Sequence, residues 1–323
     1  MGMGASARKL AAMQQRYVGN SGLRVSALSL GTMTWGGETD EQDASELLRT
    51  FLNSGGRHVD TAASYADGRS EAMLGSLLGD VVSRTGLTIS TKAGMTTPDG
   101  RRGVDTSRNA MLTGLDASLA RLGTDYVDIW FAEAWDGNVP LDETLSALEF
   151  AVRSGRARYA GISNYTGWQA AKAAVLAGFP LVAAQAEYSF LHRSPEAELI
   201  PAVEDAGMGL MACAPLGRGV LTGKYRGSIP SGSRGASASG SASVEPFLAE
   251  KPSRTVEAVC TAAKGLGRTP QDVALGWLLA QHGVATAVVG PRTPVQLKEI
   301  LEAQLSPLPP EIARALEDVS AAA

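Results

Sequence analysis

From about residue 25 onward, short β-rich runs alternate with amphipathic helical stretches, and this alternation constrains the fold more than any other feature of the chain. The strand candidates are VSALSLG (25–31), HVDTAAS (58–64), LTISTKA (87–93), YVDIWFA (126–132), ARYAGIS (157–163), LVAAQAEYS (181–189), GLMACAPL (209–216) and TAVVG (286–290). Between them, Leu112, Leu115, Leu119 and Leu122 share one helical face, and Leu145, Leu148 and Val152 share another. Gly55, Gly123, Gly155 and Gly178 stand where helix C-termini are expected. Eight strand–helix units in regular order predict an α/β fold of the (β/α)₈ TIM-barrel type. An open doubly wound sheet is the runner-up, and no G-x-G-x-x-G follows an early strand to favour it. YVGNSGLRV (17–25) reads as a β-hairpin placed to plug the lower mouth of the barrel, and PEIARALEDVSAAA adds a C-terminal helix. The expected division is a flexible tail over 1–16 and a single barrel domain over 17–323.

The chain length of 323 residues suits one such barrel, and 44% hydrophobic content supplies its core. A net charge of −4 argues against nucleic acid and anionic lipid as partners. Cys213 and Cys260 form no metal or redox motif, and His58, His192 and His282 are too scattered for a zinc site. With no long apolar run and no secretory signal, a cytoplasmic protein with no membrane partner is expected, its oligomeric state left open. The opening MGMGAS matches a myristoylation pattern and is read as a chance match in a Gly/Ala-rich tail. The chain's Ala/Gly/Arg-rich composition is compatible with a GC-rich bacterium. Residues 226–246 are Gly/Ser-rich without a helical or strand period, which points to a mobile loop on the catalytic face or to plain disorder.

Catalytic residues of a (β/α)₈ barrel gather at the C-terminal ends of the strands. There the chain places Asp60 and Tyr65, Lys92, Glu133, Ser163 and Asn164, then Gln185 and Tyr188. A lysine near a tyrosine favours phenolate and lowers the phenol's pKa, and Asp60 would pair with Lys92.

GTMTWGG (31–37), HVDTAASYADGRSEAMLG (58–75), ISTKAG (89–94), GISNY (161–165), QAEYS (185–189), APLGRGVLTGKY (214–225) and VVGPRTPVQLKEI (288–300) together resemble the aldo-keto reductase family over nearly the whole chain. The resemblance implies an NADPH-dependent oxidoreductase that needs no metal. Tyr65 matches the family's catalytic acid, Lys92 its tuning lysine and Asp60 the lysine's partner. Ser163, Asn164 and Gln185 match the residues that hold the nicotinamide carboxamide, and Tyr188 matches the aromatic stacked on the ring. Leu216, Arg218, Gly219 and Lys224 match the pyrophosphate loop, while Gly31 and Thr32 join the cofactor-binding set. Arg292 and Thr293 fall at the 2′-phosphate position, and Gln296 and Glu299 at the adenine; Ile300 stands where Asn is common. Trp35 and Trp130 are candidates to line a substrate pocket, with core packing the competing reading.

The departure is Glu133, which occupies the position of the family's usual histidine. Family members that reduce the C=C bond of steroid enones resemble this sequence in having Glu there. A protonated acid would donate to the enone oxygen, where negative charge gathers as hydride adds to the β-carbon. The expected substrate is therefore a small-molecule carbonyl or enone. Potassium-channel β-subunits share the family fold, bind nicotinamide cofactor and lack the histidine, so a cofactor-binding sensor with little turnover is the alternative.

Overall fold

The computed structural model describes residues 13–97, 103–237 and 240–321. The chain opens on a hairpin of β1 (Gln15–Tyr17) and β2 (Arg24–Ser26). The parallel strands β3 (Leu28–Gly31), β4 (His58–Asp60), β5 (Thr88–Ala93), β8 (Val127–Ala132), β9 (Ala157–Ser163), β10 (Leu181–Glu187), β11 (Gly209–Cys213) and β12 (Val284–Val289) follow. They close in that order, with β12 paired to β3. A two-stranded ribbon, β6 (Met95–Thr96) with β7 (Gly103–Val104), leaves the barrel after β5.

The helices between the strands are α1 (Glu41–Asn53), α2 (Arg69–Leu77), α3 (Arg108–Leu122), α4 (Leu141–Arg153), α5 (Gly167–Leu176) and α6 (Leu199–Asp205). After β11 come α7 (Ser241–Val244), α8 (Glu250–Leu266) and α9 (Pro270–Ala280), and after β12 α10 (Pro294–Leu301) and α11 (Pro310–Ser320). All eight predicted barrel strands are present, as is the C-terminal helix. On α3 the buried face is Met111, Leu115, Ser118, Leu119 and Leu122, with Leu112 on its flank. Gly55, Gly123 and Gly155 adopt left-handed φ at helix ends, whereas Gly178 does not; α5 ends instead on extended Ala177.

Two apolar clusters follow from the period-two alternation of the strands. Val59, Ile89, Trp130 and Ala132 face the surrounding helices in the larger one. Ile129, Phe131, Ala183 and Met211 face the barrel interior in the smaller. Val18, Leu23 and Val25 of the hairpin join the interior cluster, so the hairpin does plug the lower mouth. Its turn abuts the start of β11 so closely that a Cβ on Gly19 would collide with the Gly207 carbonyl oxygen. The hairpin's first strand starts at Gln15, inside the span expected to be tail; residues 1–12, with the MGMGAS motif, lie outside the described residues.

Within 226–246 the chain forms the turn Arg234–Ala236 and the short helix α7, so this segment has more local structure than its composition predicts. Several of its described residues are tied to the rest of the chain, Arg226 to Glu257 of α8 among them. Arg218 donates to the Ser243 carbonyl at 2.9 Å, Ser237 donates to Glu38 at 3.2 Å, and Arg292 donates to the Gly232 carbonyl.

Candidate active site

Four side chains meet at the upper mouth. Asp60 closes β4, Lys92 sits on β5, Glu133 follows β8, and Tyr65 opens a turn after β4. The register Asp60↔Ser90 between β4 and β5 turns both Asp60 and Lys92 inward, since residues two apart share a strand face. Lys92 Nζ donates to Asp60 Oδ2 at 2.7 Å, to the Thr61 carbonyl at 2.9 Å and to Tyr65 Oη at 3.3 Å. Its three hydrogens thus have three acceptors, the arrangement a buried ammonium needs. Asp60 Oδ1 accepts from Ser90 at 2.6 Å and from Gln185 at 3.0 Å.

Burial pulls the Lys92 pKa down, but Asp60 first, then Tyr65 and Glu133, raise it further, and the net shift is upward. Burial raises the Tyr65 pKa by more than Lys92 lowers it, with Asp60 and Glu133 adding to the rise. The net direction is therefore opposite to the lowering expected from the lysine alone. Desolvation of a phenol at the base of a mouth outweighs one neighbouring cation.

Glu133 is 8% exposed. Its backbone N–H donates to the Ala93 carbonyl at 2.8 Å, its carbonyl accepts from Asn164 Nδ2 at 2.8 Å, and its Oε1 accepts from Ser64 at 2.6 Å. Beyond Tyr65 the chain turns through Ala66 and Asp67, both at positive φ. Such backbone costs on the order of 1–3 kcal/mol per residue and persists where the surroundings enforce it. Beneath lies fully buried Glu71, which accepts from Thr91 at 2.5 Å and from Arg121 Nε at 2.7 Å.

On the next strands, Ser163 is buried at the end of β9 and Asn164 follows it at positive φ, its N–H bonded to the Gln185 carbonyl. Gly31 ends β3, where a Cβ would press to 3.1 Å of Val288. The Thr32 hydroxyl is buried and bonded to Ser70 at 2.7 Å, inside the loop packing. After β11, Leu216 leads into a turn of Gly217–Thr222 in which Gly217, Arg218 and Gly219 all have positive φ. A Cβ on Gly219 would meet Lys224 Nζ at 3.0 Å. Thr293 caps α10, Gln296 Oε1 accepts from the Arg292 N–H at 2.9 Å, Glu299 is exposed, and Ile300 is buried in the core.

Three of the candidates lie in the layer between barrel and helices. Tyr188 is 1% exposed, stands against Trp277 with ring centroids 5.5 Å apart, and donates to Glu196 at 2.8 Å. It packs in the barrel–helix layer. Trp35 and Trp130 are fully buried in the same layer.

Sequence reasoning also passed over several residues. Cys213, two positions after inward-facing Met211, reaches the cluster; burial first, then Glu187, push its thiol up to about 12. Ser64 and Ser90 are further partners, of Glu133 and Asp60, and His58 stands behind Ser90. Arg234 joins Lys224 and Arg292 near the turn after β11. Burial lowers the pKa of Arg234 and of Lys224, and the neighbouring cations lower both further. Arg218 pairs with Glu187 at 2.7 Å and Arg292 with Glu38 at 2.9 Å. The SGSRG string carried the signal for Arg234, an arginine amid small residues, but its composition was read only as a mobile loop or disorder.

A closed parallel barrel with an Asp–Lys–Tyr chain at its C-terminal mouth defines the class, an α/β-barrel oxidoreductase. The chain belongs to the aldo/keto reductase family, whose model matches residues 27–321. It is 35% identical over 320 residues to "Uncharacterized oxidoreductase YrpG" of Bacillus subtilis (strain 168), covering 95% of this chain and 96% of that one. It is 35% identical over 312 residues to the L-glyceraldehyde 3-phosphate reductase of Escherichia coli (strain K12), covering 93% and 90%. A probable voltage-gated potassium channel subunit beta of Arabidopsis thaliana is 34% identical over 301 residues, covering 90% and 91%. Among the described residues no helix is long and apolar enough to cross a membrane, and no cluster of His, Cys, Asp and Glu could hold a metal ion.

Proposed function

We propose that the chain is an NADPH-dependent reductase of a small carbonyl or α,β-unsaturated carbonyl compound, with Tyr65 as proton donor and Glu133 assisting in place of the family's usual histidine. The observation that carries this reading is the unbroken hydrogen-bonded chain from Asp60 through Lys92 to Tyr65 Oη. The residues present fit the cofactor. The turn at Gly217–Thr222 has the small residues and left-handed backbone that let N–H groups approach a pyrophosphate. Lys224, Arg234 and Arg292 supply cationic donors for phosphate groups, and Ser163, Asn164 and Gln185 offer amide and hydroxyl partners for a carboxamide.

When bound, NADPH supplies the hydride. Tyr65 gives its hydroxyl proton to the oxygen that gains charge, and Lys92, held by Asp60, stabilises the phenolate left behind. Glu133 Oε1 takes the Ser64 hydrogen, so the proton of a neutral Glu133 belongs on Oε2. In that form Tyr65 and Glu133 would both donate to an enone oxygen, which favours hydride addition at the β-carbon. With aldehydes, Tyr65 alone suffices. The name of the Escherichia coli relative adds a phosphorylated aldehyde to the carbonyls worth testing.

The second reading is a cofactor-binding sensor, and the likeness to the Arabidopsis channel subunit supports it. NADPH oxidation measured over aldehydes, glyceraldehyde 3-phosphate, quinones and enones separates the two. Turnover that disappears in Tyr65→Phe supports the reductase; tight NADPH binding without turnover on any of them supports the sensor.

A further inference from the structure

The barrel interior is divided. On β8, β10 and β11 the inward residues below Gln185 include apolar Ile129, Ala183 and Met211, whereas below Asp60 on β12, β3, β4 and β5 stand Thr286, Ser29, His58 and Ser90, all buried. These four form one hydrogen-bonded run. Thr286 Oγ1 lies 2.6 Å from Ser29 Oγ, Ser29 Oγ 2.6 Å from His58 Nδ1, and His58 Nε2 3.0 Å from Ser90 Oγ, which reaches Asp60 at 2.6 Å.

Donor directions follow from the Asp60 end. A carboxylate paired with Lys92 only accepts, so the single Ser90 hydrogen goes to Asp60. His58 Nε2 must then carry the ring hydrogen and donate to Ser90 Oγ. Burial brings the ring's pKa down to about 4, Lys92 adding to the fall and Asp60 and Asp128 opposing it, so at neutral pH the ring has one hydrogen. Nδ1 therefore accepts from Ser29. Thr286 donates into Ser29 in competition with the Ser26 carbonyl, 2.8 Å away. Hydrogens are thus short only at the Thr286 end, and the end that touches Asp60 is fully ordered.

We propose that His58 is a positioning residue for the Asp60–Lys92–Tyr65 chain, acting through Ser90 to keep one oxygen of Asp60 aimed at Lys92. The inference rests on Tyr65 being the proton donor. With Ser90 and Gln185 both on Oδ1, Oδ2 is left to Lys92. The His58 N–H polarises the Ser90 hydroxyl without adding a charge beside the ammonium. Removing it frees Ser90 to rotate, concentrates charge on Asp60 and draws Lys92 off the phenol. Around the ring stand Asp60, Asp128 and Lys92, and around the phenol Lys92, Asp60, Glu133 and Cys213. A weaker hold of Lys92 and a more concentrated Asp60 charge both raise the Tyr65 pKa.

The test compares His58→Leu with His58→Gln, whose amide can replace the Nε2–H donor. His58→Leu should lower kcat about five- to tenfold, the effect of one lost hydrogen bond. It should leave the NADPH Kd unchanged and move the alkaline limb of the kcat profile to higher pH, and His58→Gln should reverse both changes. Equal losses in both variants with an unmoved limb, or an unaltered His58→Leu, overturn the proposal. If His58→Leu fails to fold by circular dichroism, Ser90→Ala against Ser90→Thr makes the same comparison, with the limb expected to move only in Ser90→Ala. Tyr65→Phe is the control: if it retains turnover, the proton-donor reading has failed whatever His58 does. Titration of Tyr65 by ¹³Cζ NMR then decides the positioning role alone, an unshifted titration in His58→Leu refuting it.

Discussion

Replacing Glu133 with Gln separates hydrogen-bond donation from proton transfer at this position. The structure fixes this residue from three sides, through the Ala93 carbonyl, Asn164 Nδ2 and the Ser64 hydroxyl. A glutamine can keep the same rotamer, its amide oxygen accepting from Ser64 and its NH₂ standing where the protonated oxygen would be. If Glu133 acts as a neutral donor to an enone oxygen, Glu133→Gln retains that bond with a weaker donor. C=C reduction should then slow by about tenfold, roughly 1.4 kcal/mol. Glu133→Ala deletes the bond and should cost about 2.7–4 kcal/mol, on the order of a hundredfold or more in kcat. The assay follows saturated ketone formed from one enone with NADPH across pH. Glu133→Gln should also lose any pH limb that Glu133 contributes. A glutamine variant as slow as the alanine variant would refute simple donation, because an amide mimics the donor and cannot deliver a proton.

Glu133→His should shift products from saturated ketone toward allylic alcohol by about a hundredfold, since an imidazole orients a carbonyl for direct attack; an unchanged ratio by product analysis sinks the enone reading. Arg292→Ala should weaken NADPH by roughly 1.5–3 kcal/mol and spare NADH, as a charge-assisted phosphate contact requires, and equal losses in calorimetry remove Arg292 from the phosphate site. If residues 226–246 clamp the cofactor, NADPH should protect them from limited proteolysis, and unchanged cleavage makes them a linker. For acid stability, the folded pKa of His58 is depressed from 6.5 to about 4, so the unfolded chain binds the extra proton first. Stability should fall as pH drops from 6.5 toward 4, by up to about 3 kcal/mol. His58→Gln should flatten that slope in urea titrations, and an identical slope would show that other groups set it.

The eight strands were legible because β-rich runs separated by helical patterns leave a period in the sequence. The hairpin was legible because turn-forming residues cluster at its tip, where Gly19 and Gly22 bracket Asn20 and Ser21. Asp60, Lys92 and Glu133 could be found by asking which polar residues end apolar strands, and the structure does bring them together with Tyr65. Tyr188 lies on the side of the strand that the period of β10 gives it. It continues the outward parity of Ala184 and Ala186 along β10 and packs against Trp277. Trp130 followed the alternation and faces the helices, which its position between Ile129 and Phe131 implies. Ser64 and Ser90 left no trace, because a serine acquires its partner only in three dimensions.

The pairing of Thr286 with Ser29 lies on the seam where the last barrel strand meets the first, 257 positions apart in the chain. Directional bonds, and not apolar contact alone, therefore link the inward side of that seam to the carboxylate that holds Lys92. During synthesis, β3, β4 and β5 emerge long before β12, so Ser29 and His58 must wait for Thr286 to complete their run. A chain that stops short of residue 284 lacks the strand that closes the barrel, and with it the last member of the run beneath Asp60. Competence for redox chemistry thus arrives with the completed chain, and a nascent or truncated one does not present the finished site.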